Sequence, residues 1–473
     1  MTNKKQDSKV NTDGKLTLTF CGGVGSVTGA NFLLTGPDGT SILVDCGLEQ
    51  GGHDADANNH KDFIYDPADC DFLLVTHSHM DHIGRIPKLV KEGFRGIIYS
   101  TPETLALTKI MLADALKIVT QDAERKQLVP LYDAHDVEDS FKNWKTIEYH
   151  KNLELAPGYS VYVKDSGHIL GASMFEVTYK GEVGGKEYSR KVIFTGDLGN
   201  SPTPLLHDTE KITDADYLVM ESVYGDKNHE DNEVRLEKLK KVLIDNFNRN
   251  GTLIMPSFSL EKTQEILFEI HKLMDHKEIP SMRIYLDSPL ALKVTEIYRK
   301  MRKDFNSEAT IDSKKHDIFA FPGLRISDSA EQSKMILKEP NPKVIMAGSG
   351  MSNGGRIIHH EANYLGDKNN TILFLGYQAV GTLGRKISEG ASEVEIGDQL
   401  VKIAARIEHI DGYSSHKDSD HLIEFVKDTA ETVKKVFVVM GETNASLFLA
   451  QRLRDYDGVN AVHPEEGDVV VLE

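Results

Sequence analysis

The chain has 473 residues, of which 27% are charged and 40% are hydrophobic. One compact domain rarely holds so many residues, so we expect two lobes with the composition of an ordinary globular enzyme. The net charge of −18 argues against sequence-independent binding of nucleic acid over the whole surface, although a local basic groove or bound metal ions could hold phosphates. The sequence contains no run of about 18 apolar residues, so it predicts no contact with a membrane.

The cysteines Cys21, Cys46 and Cys70 form an odd, sparse set without a Cys-x-x-Cys motif. Such usage suits a reducing cytoplasm better than a disulfide scaffold, so we expect three small core residues. Residues 1–14 are polar and contain no apolar segment like that of a signal peptide, and we expect them to form a flexible tail.

Up to about residue 220, strand patterns predominate and polar loops separate them. Alternating or continuous apolar runs predict strands over residues 16–20, 41–44, 72–75, 159–163, 175–179 and 191–194. Residues 103–127 carry apolar side chains at helical spacing and predict one long helix. Gly184-Gly185 predicts a hairpin turn.

Beyond residue 225, helix and strand patterns alternate. Helices are predicted over residues 234–247 and 263–273, and strands over 252–255, 283–286 and 344–347. This alternation is typical of an α/β layer with parallel strands. After about residue 409, the patterns predict helices over 418–430 and 445–453 and strands over 436–440 and 469–472.

The most informative motif is His77-Ser78-His79-Met80-Asp81-His82, which directly follows the apolar run of residues 72–75. The pattern H-x-H-x-D-H rarely arises by chance at this chain's His and Asp frequencies, and the alternative is a solvated polar loop. Imidazole and carboxylate groups at the end of a buried strand predict a metal centre that activates water.

Further polar residues follow other apolar strands: Asp45, His168, Asp197 and Glu221. Each is a weak signal alone, because an Asp in this position is usually a turn or cap residue. Together with residues 77–82, they form a mixed set of imidazole and carboxylate ligands. Zinc suits that mixture, whereas calcium or magnesium would prefer oxygen ligands alone.

The order Asp45, H-x-H-x-D-H, His168, Asp197 resembles the metallo-β-lactamase superfamily. Later segments resemble the β-CASP nucleases, most of all the branch of the cleavage and polyadenylation specificity factor endonuclease and its bacterial and archaeal relatives; these segments are residues 256–258, 347–351, 376–385 and 412–418. The resemblance implies an αββα metallo-β-lactamase sandwich built from residues 15–224 and 409–473. An α/β β-CASP cap over residues 225–408 would be inserted into it.

The resemblance also implies roles for the site residues. One zinc ion would be held by His77, His79, His168 and Asp197. A second would be held by Asp81, His82 and the shared Asp197. The implied catalytic group comprises Asp45, Asp81, Glu221 and His416. In it, Asp45 would orient neighbouring rings and the bound water, and His416 would protonate the leaving oxygen while Glu221 fixes its orientation. An ordinary polar histidine before a helix is the alternative for His416.

The family has three motifs associated with its cap domain, and the first two match Glu221 and His416. The third places a His on the second zinc, whereas this sequence has Met440 at that position. A thioether is a poor zinc ligand, so the second ion would be weakly bound, completed by water, or completed by another side chain such as His463. The departure also leaves DNA open as a substrate, because the DNA-processing branch likewise has a non-His aliphatic residue at this position.

Several residues near family-like loops are candidate RNA contacts, with a solvated surface role as the alternative for any single cation. They are Lys262, Ser349, Arg356, Arg385 and Lys386. Lys262 follows Glu261 where related sequences usually have a Gly-Arg pair. The glycine-rich residues 348–355 could present backbone N–H groups to a phosphate, although such loops are non-specific signals.

The interpretation is a zinc-dependent ribonuclease that hydrolyses single-stranded RNA in a cleft between two lobes. One alternative is a hydrolase of the same superfamily that acts on DNA or on a small phosphodiester or thioester. Another is a catalytically weak RNA-binding subunit of a processing complex. This alternative is considered because Met440 replaces a metal-binding His of the family. A homodimer is one candidate assembly.

Overall fold

A computed structural model describes residues 14–51, 54–376, 378–379 and 381–473. Apart from Gly14, the predicted tail lies outside these residues, as do Tyr377 and Val380 of the segment 376–385. Within the described ranges, no helix is long and apolar enough to cross a membrane.

The first part of the chain is rich in strands. These are β1 (Thr17–Gly22), β2 (Asn31–Thr35), β3 (Ser41–Val44), β4 (Phe72–Leu74), β5 (Ile97–Ser100), β6 (Trp144–Thr146), β7 (Asn152–Ala156), β8 (Tyr159–Asp165), β9 (Ser173–Val183), β10 (Lys186–Phe194) and β11 (Tyr217–Glu221). The helices are α1 (Ala55–His60), α2 (Met80–Ile83), α3 (Ile86–Lys91), α4 (Pro102–Lys126) and α5 (Ala134–Asp139). The long helix predicted from apolar spacing is α4, and Thr101 caps its first turn.

The middle of the chain alternates between helices and strands. The helices are α6 (Asn232–Asn248), α7 (Lys262–Asp275), α8 (Pro289–Lys300), α9 (Ser307–Lys315), α10 (Ala330–Ile336), α11 (Ile357–Tyr364) and α12 (Leu383–Ser388). The strands are β12 (Thr252–Pro256), β13 (Arg283–Asp287), β14 (Leu324–Ile326), β15 (Lys343–Ala347), β16 (Thr371–Leu375), β17 (Glu393–Ile396), β18 (Gln399–Lys402) and β19 (Arg406–Ile410).

The last part returns to the first. It comprises α13 (Ser419–Lys427), β20 (Lys435–Val439), α14 (Thr443–Asp457), β21 (Ala461–Val462) and β22 (Val469–Val471). The strand predicted over 436–440 ends one residue early, because Met440 turns the chain with a φ of 48°.

Two seven-stranded sheets form a sandwich, in the orders β22-β1-β2-β3-β4-β5-β6 and β21-β20-β11-β10-β9-β8-β7. Aromatic side chains fill the space between the sheets, with Phe20, Phe32, Phe194 and Phe437 among them. Helices α3 and α4 cover the outer face of the first sheet, and α13 and α14 cover that of the second. This arrangement confirms the predicted αββα sandwich.

The third sheet has the order β14-β13-β15-β12-β16-β19, and its strands are parallel, as the alternating pattern predicts. We use the name cap for this sheet together with helices α6 to α12. Separate apolar clusters lie on the two faces of the sheet, because its strands are buried on both sides.

The cap packs directly against the sandwich. Helix α8 contacts α4, and the Asn306 N–H donates to the Leu205 carbonyl oxygen at 3.0 Å. Ile169 and Leu170 of the sandwich share one buried apolar cluster with cap residues such as Tyr298. The loop that carries His168 is therefore part of the junction between the lobes.

Candidate metal centre

Strand ends bring the predicted ligands together. Asp45 follows β3 and His77 follows β4, which are parallel neighbours in the first sheet. His168 follows β8, Asp197 follows β10 and Glu221 ends β11 in the second sheet. Because parallel neighbours end at the same edge of a sheet, short chain segments after these strands place all five side chains at one end of the sandwich.

Four of the predicted ligands converge on one point: His77, His79, His168 and Asp197, whose ligand atoms all lie within 4.8 Å of one another. His79 Nδ1 lies 3.0 Å from His77 Nε2 and 3.2 Å from His168 Nε2. Asp197 Oδ2 lies 3.4 Å from the same nitrogens of His77 and His168. Imidazole nitrogens this close to one another suit a shared cation, because their lone pairs face a common centre.

The charge states also fit a metal. Burial lowers the pKa of His77, His79 and His168, which favours the neutral imidazoles that bind zinc. Burial alone would raise the pKa of Asp197, but the charge of the neighbouring His82 ring brings it well below its ordinary range. The centre therefore combines neutral nitrogen donors with a carboxylate, which is the donor set of a zinc site.

A second group surrounds His82. Its Nδ1 donates to Asp45 Oδ2 at 2.8 Å, and its Nε2 is buried without a hydrogen-bond partner. That nitrogen lies 3.4 Å from Asp197 Oδ1 and 3.9 Å from Asp81 Oδ2. A buried nitrogen without a partner, facing two carboxylates, fits a metal ligand whose tautomer Asp45 fixes.

Asp45 is itself held rigidly. Its carboxylate accepts the Thr76 N–H at 2.8 Å and the Thr76 hydroxyl at 2.7 Å. The Thr76 oxygen also lies 3.1 Å from His77 Nδ1, so this one side chain touches both groups of ligands. Sequence reasoning missed Thr76, because a threonine before a loop carries no chemical signal of its own.

Met440 offers no ligand atom to the second group. Its side chain is buried in the apolar cluster between the two sheets, and its N–H donates to the Gly23 carbonyl oxygen at 2.7 Å. His463 Nδ1 lies 3.1 Å from the Val438 carbonyl oxygen, so that ring is engaged with the backbone. Among the described His, Cys, Asp and Glu residues, the two convergent groups are His77, His79, His168 and Asp197, and Asp197, Glu221 and His416, so His463 belongs to neither group.

The partly exposed His416 and the buried Glu221 form an acid–base pair next to the ligands. His416 Nδ1 lies 3.2 Å from both carboxylate oxygens of Glu221 and 3.9 Å from Asp197 Oδ2. Burial alone would lower the pKa of His416, but the charges of Glu221 and Asp197 raise it to about 9. The raised pKa of His416 favours the protonated imidazole, and the 21% exposure of its side chain leaves it accessible from outside.

The predicted RNA contacts occupy different environments. Lys262 is buried and donates to Glu265 Oε2 at 3.2 Å, and Arg356 donates to the buried Asp287 at 2.6 Å. Their charges are thus compensated inside the cap. Arg385 is partly exposed and paired with a neighbouring glutamate, Lys386 is exposed, and Ser349 lies in the loop after β15. The RNA-binding role of all five stays a prediction.

The fold and this ligand geometry define a metallo-hydrolase of the metallo-β-lactamase fold. Family models match three stretches of the chain: a metallo-beta-lactamase superfamily domain at residues 34–186, a Beta-Casp domain at 263–387 and a Zn-dependent metallo-hydrolase RNA specificity domain at 400–464. The fold is also similar to the crystal structure of a protein of unknown function from Enterococcus faecalis, with a TM-score of 0.55, 13% identity and coverage of 97% of this chain and 100% of that one. That likeness concerns the fold alone.

Relatives extend the match over nearly the whole chain. Ribonuclease TTHA0252 from Thermus thermophilus is 34% identical over 434 residues, which cover 91% of this chain and 94% of the relative. Transcription termination factor FttA from Methanosarcina mazei is 28% identical, with coverage of 93% of this chain and 69% of that protein. The chain therefore belongs to the β-CASP family of metal-dependent ribonucleases, which confirms the predicted resemblance.

Proposed function

We propose that this protein is a zinc-dependent ribonuclease that hydrolyses phosphodiester bonds of single-stranded RNA. The convergence of three imidazoles with Asp197, next to the His416–Glu221 pair, is the observation that carries this proposal. The match to an RNA specificity domain and the likeness to a named ribonuclease support RNA as the substrate class.

Two zinc ions are proposed, the first at His77, His79, His168 and Asp197 and the second at Asp81, His82 and Asp197. Bound there, the ions supply Lewis acidity and lower the pKa of water to near neutrality. Met440 leaves the second site one protein ligand short of the family pattern, so we expect that site to bind more weakly.

The chain's own groups orient and protonate the reacting atoms. Asp45 keeps the proton of His82 on Nδ1, so that Nε2 stays free to bind metal. His416 gives its proton to the ribose oxygen that leaves, and the buried carboxylate of Glu221 holds the imidazole protonated before this step. Asp197, shared between both ligand groups, keeps its charge because the neighbouring imidazoles lower its pKa.

We place the RNA strand between the cap and the sandwich and propose the lobe limits 15–224 with 409–473 and 225–408. The small residues Ser257, Ser288 and Gly348 follow the parallel cap strands β12, β13 and β15 at their carboxyl ends, and we propose that the RNA strand passes this edge. A cytoplasmic location is proposed because Cys21, Cys46 and Cys70 are buried and unpaired.

The test combines zinc analysis and cleavage of a single-stranded RNA on one purified sample. Two zinc ions with cleavage would support the proposal. His77→Ala should lose zinc binding and cleavage, whereas His359→Ala on the exposed face of α11 should keep zinc binding and cleavage. Zinc with turnover of DNA or a small phosphodiester but not RNA would overturn the substrate class. One zinc or none, without cleavage after zinc is added, would favour an RNA-binding subunit, which Met440 motivates.

A further inference from the structure

The cap holds the His168 loop on its C-terminal side through Tyr298. The Tyr298 hydroxyl, on helix α8, accepts the Leu170 N–H at 3.3 Å and donates to the carboxylate of Glu261. Leu170 and Tyr298 are fully buried, and Glu261 is 3% exposed. A cap side chain therefore fixes the backbone two residues after His168.

The ring of His168 is held from the opposite side by the loop before α13. His168 Nδ1 donates to the Ser415 carbonyl oxygen at 3.1 Å, which leaves Nε2 facing the other ligands. The same carbonyl accepts the Asn200 N–H at 3.0 Å. Lys262 of the cap donates to the Ser415 hydroxyl at 3.4 Å and to Glu265 at 3.2 Å.

Two adjacent residues at the start of α7 take part in the contacts on the two sides of His168. Glu261 binds Tyr298, and Lys262 binds Ser415. Glu261 has a φ of 64°, in the left-handed region that a non-glycine residue adopts only when its surroundings hold it there. The strained residue allows one turn of chain to reach the two segments that flank His168.

We propose that Tyr298 and Lys262 are positioning residues for His168, through which the cap sets the zinc affinity of the sandwich. The inference rests on the proposed zinc centre. A ligating histidine depends on the partner of its second ring nitrogen, and loss of such partners usually weakens metal binding by about 10–100-fold. Here the partner is the Ser415 carbonyl oxygen, and cap residues hold the chain on both sides of this contact.

The test is Tyr298→Phe, which removes the hydroxyl and keeps the buried ring. Its matched control is Tyr364→Phe on α11, because the Tyr364 hydroxyl is also buried in the cap but has no hydrogen-bond partner. Zinc affinity is measured by competition with a chromophoric chelator, and site geometry by the visible spectrum of the cobalt(II)-substituted protein. We expect zinc binding weaker by roughly 3–10-fold and an altered cobalt spectrum in Tyr298→Phe alone, below the effect of losing a direct ring partner because Tyr298 holds the backbone after His168.

If the zinc affinity and the cobalt spectrum of Tyr298→Phe equal those of Tyr364→Phe and of the wild type, the inference is overturned and the zinc centre stands. If Tyr298→Phe fails to fold, Lys262→Met decides: weaker zinc binding at an unchanged melting temperature of the metal-free protein supports the inference, and wild-type affinity overturns it. A wild-type protein that binds no zinc would overturn the proposed function itself, and the inference with it.

Discussion

Asp287 lies at the end of β13 and accepts hydrogen bonds from two helices of the cap, α10 and α11 with its N-cap residue Arg356. Its carboxylate accepts hydrogen bonds from Arg356 at 2.6 Å, His360 at 2.7 Å and Ser333 at 2.5 Å, and it is fully buried. We predict that Asp287→Asn, a change of nearly constant shape, destabilises the cap and leaves zinc binding unchanged.

The expected loss of stability in Asp287→Asn follows from the lowered pKa of Asp287. Burial would raise the pKa of Asp287, but the hydrogen bonds of His360, Ser333 and Arg356 bring it from 3.8 to about 2. This depression corresponds to about 2 kcal/mol of stability for the ionised carboxylate at neutral pH. For a unit of the proposed size of the cap, such a loss lowers the melting temperature by about 4–8 °C.

The lowered pKa of Asp287 also determines the direction in which the free energy of unfolding changes with pH. The contribution is complete above the unfolded pKa of 3.8 and disappears as the pH falls through about 2, so at pH 3 about half of it remains. Calorimetry of the metal-free wild type and Asp287→Asn at pH 7 and pH 3 measures this difference. Equal melting temperatures at pH 7 would refute the reasoning.

Arg356 provides the companion measurement, because the sequence predicts an RNA contact at this position. If its charge serves Asp287, Arg356→Met lowers the melting temperature, and RNA affinity falls only as far as the cap is disturbed. Weaker RNA binding at an unchanged melting temperature would instead show that the guanidinium binds phosphate and that Asp287 does not need it.

Two further predictions concern the site. His416→Ala should keep its zinc and slow RNA cleavage by about 10²–10⁴-fold. In single-turnover assays, a substrate whose leaving oxygen is replaced by sulfur should recover most of the rate, because a thiolate leaves without a proton. A rate that stays low with this substrate would contradict the general-acid role. Met440→His should raise the affinity for the second zinc ion, measured by titration of zinc-depleted protein, because an imidazole replaces a buried thioether; unchanged stoichiometry and affinity would mean that this position does not face the second site.

The sequence predicted those features that depend on local patterns. The apolar spacing of residues 103–127 indicated helix α4, and the alternation beyond residue 225 indicated the parallel cap sheet. The residues after strands β3, β4 and β10 could be selected as site residues, because a polar group directly after an apolar strand marks a loop at a sheet edge. The short helices α1, α2, α3 and α5 were not predicted, since each has too few residues to show a period.

Long-range contacts could not be predicted in the same way. Arg356 and its partner Asp287 are 69 residues apart, and Lys262 lies 153 residues from Ser415. The sequence therefore showed two cations near family-like loops but not the carboxylates and hydroxyls that surround them. Tyr298 was missed for the same reason, because its role depends on tertiary hydrogen bonds to Leu170 and Glu261.

The insertion of the cap also sets an order of events during synthesis. All of the proposed zinc ligands lie between His77 and Asp197, before the cap, whereas His416 pairs with Glu221 across 195 residues of chain. The neighbouring strands β11 and β20 join only after the cap has been made. A growing chain thus contains all of its proposed metal ligands long before its proposed acid, but the ring of His168 gains its Ser415 partner only after the cap has been made. The complete ligand set and the acid therefore become available at the same stage of synthesis.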